Sequence, residues 1–162
     1  MNFMKKQTAG SGITFVAFVL SIVAIIVYFV NIGSAGYFQN AAVPETVMYN
    51  VIGIVLLAVV LAVSQLSING ATGKVLTIVS DALRIGAPVL FIAALMKLVS
   101  SRVQGFAFIY FSNEEVLHEV QTAENMSSAH GTIANMVLLG VTAVVAMAAA
   151  FFSMKKVKKV QK

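Results

Sequence analysis

Asp81 and Arg84 stand three residues apart in KVLTIVSDALRIGAPVLFIAALMKL, residues 74–98, and Pro88 follows one turn later. A charge at the centre of a membrane helix costs about 2.5–3.5 kcal/mol, so such groups pair, reach water or line a route for ions. On a helix, i,i+3 spacing allows a direct ion pair. Both side chains lean toward the helix N-terminus. Pro88 lacks an N–H, which frees a carbonyl near Arg84 and kinks the helix. The favoured reading is a structural pair, Asp81 with Arg84. The alternative is an ion or solute site using the same two residues, with Ser21, Asn50, Thr77, Ser80, Asn135 and Thr142 as the remaining polar lining. Depth separates these readings. A span over 75–98 puts Arg84 about 4 Å from the midplane at 1.5 Å per residue. A span reaching Ser101, with Lys97 snorkelling outward, puts Asp81 at the boundary.

A second cluster, Glu114, Glu115 and His118, contains the Glu-x-x-His spacing of di-iron bundles. Those sites take two such motifs and two further glutamates facing a core. One motif on a polar face reads as solvated surface. SINGATGK invites comparison with a phosphate loop, but Ile68 and Val75 stand where glycine and Ser or Thr are required. Cysteine is absent, which excludes disulfides, thiolate metal sites and cysteine nucleophiles. The reading is therefore non-enzymatic, with no catalytic residue, cofactor or metal assigned. Asn125-Met126-Ser127 fits a glycosylation acceptor, which has meaning only in a eukaryotic secretory pathway.

The elements that position these groups follow from hydropathy. Hydrophobic residues are 59% and charged residues 10% of 162, against roughly 45–50% and 25% in soluble domains. A membrane span needs about 20 apolar residues, and unsatisfied backbone in lipid makes each span a helix. Four stretches qualify, at about 13–31, 47–66, 75–99 and 133–154. The expectation is an all-α, four-helix transmembrane bundle forming one domain over 1–162. Pro44 and Glu45 suit the first turn of the second helix. Ala17/Ser21, Ala58/Ala62, Ala82/Gly86 and Ala146/Ala150 offer small-xxx-small pairs for close helix approach.

The segment 100–130 is expected outside the membrane. FAFIYF is too apolar to float free and should lie in the interface or against the bundle. Ser112-Asn-Glu-Glu115 has the form of a capping box. It predicts a short amphipathic helix through about Glu124, with Val116, Leu117, Val120 and Ala123 on one face. Its acidic polar face suits protein docking better than anionic lipid.

Lys and Arg placement orients the chain with both termini inside. Lys5, Lys6, Lys74 and the tail Lys155, Lys156, Lys158, Lys159 and Lys162 then face the cytoplasm, while the other side holds Lys97 and Arg102 among five glutamates. Tyr28, Tyr37, Tyr49 and Tyr110 map near the outer boundary. The formal charge of +5 is concentrated in the tail, so the implied contact is the lipid bilayer, not nucleic acid.

At YFVNIGSAGYF, residues 28–38, and SSRVQGFAFIYFSNEE, residues 100–115, the chain resembles a loose group of uncharacterised four-span membrane proteins from anaerobic Gram-positive bacteria. The shared features are Val-Asn at the outer end of the first span, an aromatic pair after it, and an Arg-Val stretch after the third. The resemblance implies a bacterial plasma membrane and, from genes lying near glycoside-hydrolase genes, a partner at the cell envelope. It carries over no catalytic residue. The longer Glu/His-containing segment here departs from the group. The expected function is binding or scaffolding of an envelope or membrane protein, or self-association. The outer surface for this would include Tyr37, Phe38, Tyr110, Glu114, Glu115 and His118. A small oligomeric transporter or channel is the alternative.

Overall fold

The computed structural model describes residues 8–65 and 71–152 and contains, among them, five helices and no strand. Helix α1 is Ala9–Gly33, α2 Pro44–Gln65, α3 Ala71–Phe111, α4 Glu114–Val120 and α5 Ala123–Ala150. Four of these are long and apolar enough to cross a membrane: α1, α2, α5 and α3 from Lys74 onward. Helix starts follow local chemistry. The Thr8 hydroxyl accepts from the Ser11 N–H and caps α1. Pro44 opens α2 with Glu45 in its first turn, where the missing N–H costs nothing and the acid meets the positive end of the dipole.

Helices α1, α2, α3 and α5 pack in a ring, each against its two neighbours in that order. Contacts along the ring fix antiparallel directions. The Thr46 hydroxyl near the start of α2 donates to Ala94 O in the second half of α3, and Asn31 Nδ2 late in α1 donates to Thr132 Oγ1 in the first half of α5. The result is an up-down-up-down bundle. The ends of α1 and α3 share one end with the starts of α2 and α5, here called the cap end. The start of α1 and the end of α5 share the opposite, tail end.

The inside combines many small and polar residues with a few large ones, Leu57, Val60, Phe91, Leu98 and Leu139. Helix α1 buries Gly10, Thr14, Ala17, Ser21 and Ala24, and α5 buries Thr132, Asn135, Thr142, Ala146 and Ala149. Other large branched side chains face outward. Val30 on α1, Val55 on α2, Ile85 on α3 and Val144 on α5 are all more than half exposed. A soluble bundle would show the reverse, because water drives its apolar stripe inward. In lipid the tails solvate Val and Ile as well as a protein core does, so small residues take the interface and let backbones approach. Three buried hydroxyls donate within their own helices: Thr14 to Gly10 O, Ser21 to Phe18 O and Thr142 to Leu138 O, each at 2.7 Å. Gly53 shows how close the approach is, since a Cβ there would lie 2.6 Å from the Phe91 ring.

The expected small-xxx-small pairs are sorted by this packing. Ala17 and Ser21 are fully buried, and Ala146 is buried. Ala62 and Ala82 face outward, and α2 instead buries Thr46, Asn50, Gly53, Leu57 and Val60.

Two boundaries differ from the hydropathy reading. Helix α3 does not stop near Val99 but runs 41 residues to Phe111, about 61 Å at 1.5 Å per residue and twice a hydrocarbon core. Helix α5 starts ten residues before the expected Ile133. The reason is a continuous inward stripe. Arg84, Ala87, Phe91, Ala94, Leu98, Arg102, Gly105 and Ile109 are all buried at three- and four-residue spacing. Hydropathy fades at SSRVQG, but the packing face continues.

Candidate interaction site

Beyond the bundle, the end of α3, the start of α5, α4 and the segment 34–43 form a cap with its own core. Phe38, Ile109 and Ala129 are buried there, with Phe106, Tyr110, Val120 and Met126 packed around them. FAFIYF forms the last turns of α3, with Phe106, Ile109 and Tyr110 packed in the cap core.

Segment 34–43 is held at nearly every residue. Gly36 takes φ +132°, and a Cβ there would collide with the backbone of Glu124. Asn40 takes the left-handed region at φ 56°, which asparagine tolerates better than most residues. Its N–H donates to Ile32 O at 2.8 Å. The Phe38 N–H donates to Ser128 Oγ on α5 at 3.1 Å, and the Val43 N–H to the Tyr28 hydroxyl at 2.5 Å. Gly105 lets the aromatic pair sit against α3, because a Cβ there would lie 2.5 Å from the Phe38 ring.

Arg102 joins these parts. It is 4% exposed, donates to Ala41 O, and sits 4.6 Å above the Phe38 ring centre. Cation–π contact and a carbonyl stand in for a carboxylate partner. Below it lies a polar cluster of Tyr28, Asn31, Thr132 and Asn135, lining a hollow too narrow for a water molecule. Asn135 Nδ2 donates to Ala24 O at 2.5 Å and ties α5 to α1. Among the described residues, Arg102 Nε and Asn135 Oδ1 have no hydrogen-bond partner. The sequence reading counted Arg102 only as a boundary charge. Its membership of the stripe through Leu98 and Gly105 was the signal that could have found it.

The chain matches no protein-family model, no curated protein and no solved structure. Its function must therefore be read from its own side chains.

Phe38, expected on the interaction surface, is a correction: at 3% exposure it belongs to the cap core. Tyr37 is exposed and packs edge-on against Phe38 and tilted against Phe108. Tyr110 is half-buried and stacks on Phe106. Glu114, Glu115 and His118 are exposed on α4. The expected capping box is not used. Ser112 Oγ turns back to Phe108 O, and Asn113 caps α4 by accepting from the Val116 N–H at 3.0 Å. Helix α4 ends at Val120 and not near Glu124, because Thr122 starts α5 as its own N-cap. Among the described residues, no three His, Cys, Asp or Glu side chains group closely enough to hold a metal ion. Tyr28 and Tyr49 pack with the bundle core, whereas Tyr110 belongs to the cap core and Tyr37 packs on Phe38 and Phe108.

At the tail end the Asp81–Arg84 pair exists, but it is not what holds Arg84. The two lie 3.4 Å apart, with Asp81 57% exposed. Arg84 is 3% exposed and donates to Ala149 O and, at 2.6 Å, to Phe152 O. The last carbonyls of a helix lack intrahelical donors and carry partial negative charge. Arg84 supplies that donor for α5, which sets its guanidinium level with the end of that helix. Pro88 is buried inside α3 without ending it. The cytoplasmic-anchor residues Lys155, Lys156, Lys158 and Lys159 lie outside the described residues.

Proposed function

We propose that this chain is a non-enzymatic, four-span protein of a bacterial plasma membrane, with both termini in the cytoplasm, that binds or scaffolds an envelope partner through its cap. The observation carrying this reading is the ordered cap itself. Fixing backbone costs roughly 1–2 kcal/mol per residue, and the Phe38 cluster, Arg102 and the bonds of segment 34–43 offset that cost to present one rigid surface. A protein that needed only to sit in lipid would gain nothing from it. Charge agrees: Glu45, Glu114, Glu115, Glu119 and Glu124 gather at the cap end, and the lysine-rich segments fall at the tail end, as the positive-inside rule requires of a cytoplasmic tail.

Transport through Asp81 and Arg84 is less well supported, because Arg84 is engaged by helix-end carbonyls and the interior hydroxyls above turn to their own helices. The test is extraction of the full-length chain at native expression after gentle crosslinking. A second envelope protein should copurify. Recovery of this chain alone would overturn the binding reading, and ion or solute flux in proteoliposomes of the pure chain would replace it with transport.

A further inference from the structure

Past the bundle, the outward side of α3 changes character twice. Ile85, Val89, Ile92 and Met96 are exposed apolar residues along the lipid-facing length. Lys97, Ser100, Ser101 and Gln104 then form a polar belt, with Lys97 4.0 Å from Glu45. From Val103 onward, Gln104 apart, the surface turns apolar again: Val103 is 54%, Phe108 42% and Phe111 85% exposed, with Ala107 between them. These four fall on one side of the helix, opposite buried Arg102, Gly105 and Ile109. At 1.5 Å per residue, Phe111 stands about 10 Å past Gln104 and about 21 Å past Lys97. With the hydrocarbon edge set at Lys97 and a headgroup layer of about 7 Å on each side, this face lies past the lipid tails. Exposed apolar area in water marks an interaction surface. Three residues further on, α4 opens with exposed Glu114 and Glu115, followed by Glu119.

We infer that this face is the docking site for a protein segment that presents apolar side chains beside lysine or arginine, such as one side of a cationic amphipathic helix. The inference rests on the binding reading above and names the partner's chemistry. A second copy of this chain fits poorly. Two-fold pairing sets the same patch against itself and would bring two sets of α4 glutamates together. Nor does this chain offer a complement: at the cap end Arg102 is buried and Lys97 sits by Glu45, while its other basic residues precede α1, belong to the tail-end part of α3, or follow α5.

The test places benzoylphenylalanine at Phe111 of the full chain, in native membranes, and maps the photoadducts by mass spectrometry. The expected adduct is to a protein segment with Lys or Arg within one helical turn of apolar residues. Phe108→Asn with Phe111→Asn, and separately Glu114→Gln with Glu115→Gln and Glu119→Gln, should each reduce recovery of the complex about tenfold, the scale of losing a central anchor. Phe108 also packs on Tyr37, so Phe111→Asn alone is run beside the double variant, and each variant is scored only with its thermal stability retained. Adducts to acyl chains, or to another copy of this chain, would overturn the inference. So would a partner that copurifies unchanged with both sets of variants, although the binding reading would then survive. Absence of any copurifying partner would end both.

Discussion

A buried arginine three residues from an aspartate invites assignment as an ion pair, yet the acceptors that hold Arg84 are backbone carbonyls. Asp81 is more than half exposed, and exposed pairs contribute about 0–1 kcal/mol. Removing Arg84 leaves Phe152 O without its donor and Ala149 O with only backbone N–H donors of the C-cap, at about 1–3 kcal/mol. Arg84→Gln should therefore lower thermal stability in detergent by that amount. Asp81→Asn should change it by less than about 0.5 kcal/mol, and the double variant should match Arg84→Gln alone. Partial recovery in the double variant would restore the ion pair as the main interaction. Gly105 is the corresponding test in the cap. A methyl there meets the rings of Phe38 and Tyr37 at 2.5–2.8 Å, and overpacking of this kind costs about 1–3 kcal/mol. Gly105→Ala should loosen segment 34–43, read as faster amide exchange at Asn40 and Val43, and leave exchange in the middle of α2 unchanged.

Among the elements, α3 decides the architecture. Its first half supplies a wall of the bundle and its last turns carry the cap, on one uninterrupted inward stripe. Separating the two halves is possible with a proline. Gln104→Pro places the ring in an exposed helix interior, where it costs about 3 kcal/mol and removes a backbone donor. The expected result is loss of amide protection across residues 105–111 and in segment 34–43, whose anchors are Arg102 and the aromatic cluster, with the amides of α1 residues 14–28 still protected. Rapid exchange over residues 105–111 in the unaltered protein would contradict the continuous helix. The sequence hid this continuity because a hydropathy window averages all residues, outward Ser100, Ser101 and Gln104 together with the buried Arg102, and falls through SSRVQG. Packing responds to Arg102, Gly105 and Ile109, which face the other way.

At the scale of the whole molecule, charge and apolar surface are separated along one axis. The glutamates lie at the cap end. The helix ends that the lysine-rich stretches adjoin in sequence, the start of α1 and the end of α5, form the tail end, and the band between presents Val, Ile, Phe and Met outward. That arrangement predicts the topology of the chain in a cell. Native cysteine is absent, so single introduced thiols report cleanly. A cysteine replacing His118 should react with an impermeant maleimide in intact cells, and one replacing Lys162 should react only after permeabilisation. The opposite pattern would invert the orientation and place the docking face in the cytoplasm.

Composition and the spacing of apolar runs marked four helices long and apolar enough to cross a membrane. A chain with 59% hydrophobic residues carries more apolar surface than a soluble fold of this size hides, and the structure has those four helices. Composition also determined the side of the lysine-rich tail expected from translocation. Local signals placed Pro44 at the start of α2 and a short helix after Phe111. Which neighbours each polar group would meet depended on residues far apart in sequence. Arg84 meets Phe152, 68 positions away; Arg102 meets Ala41, 61 positions away; Phe38 meets Ser128, 90 positions away. Such pairings arise only when the helices pack, so hydropathy could mark Arg84 as out of place in a span without revealing that the end of α5 would receive it.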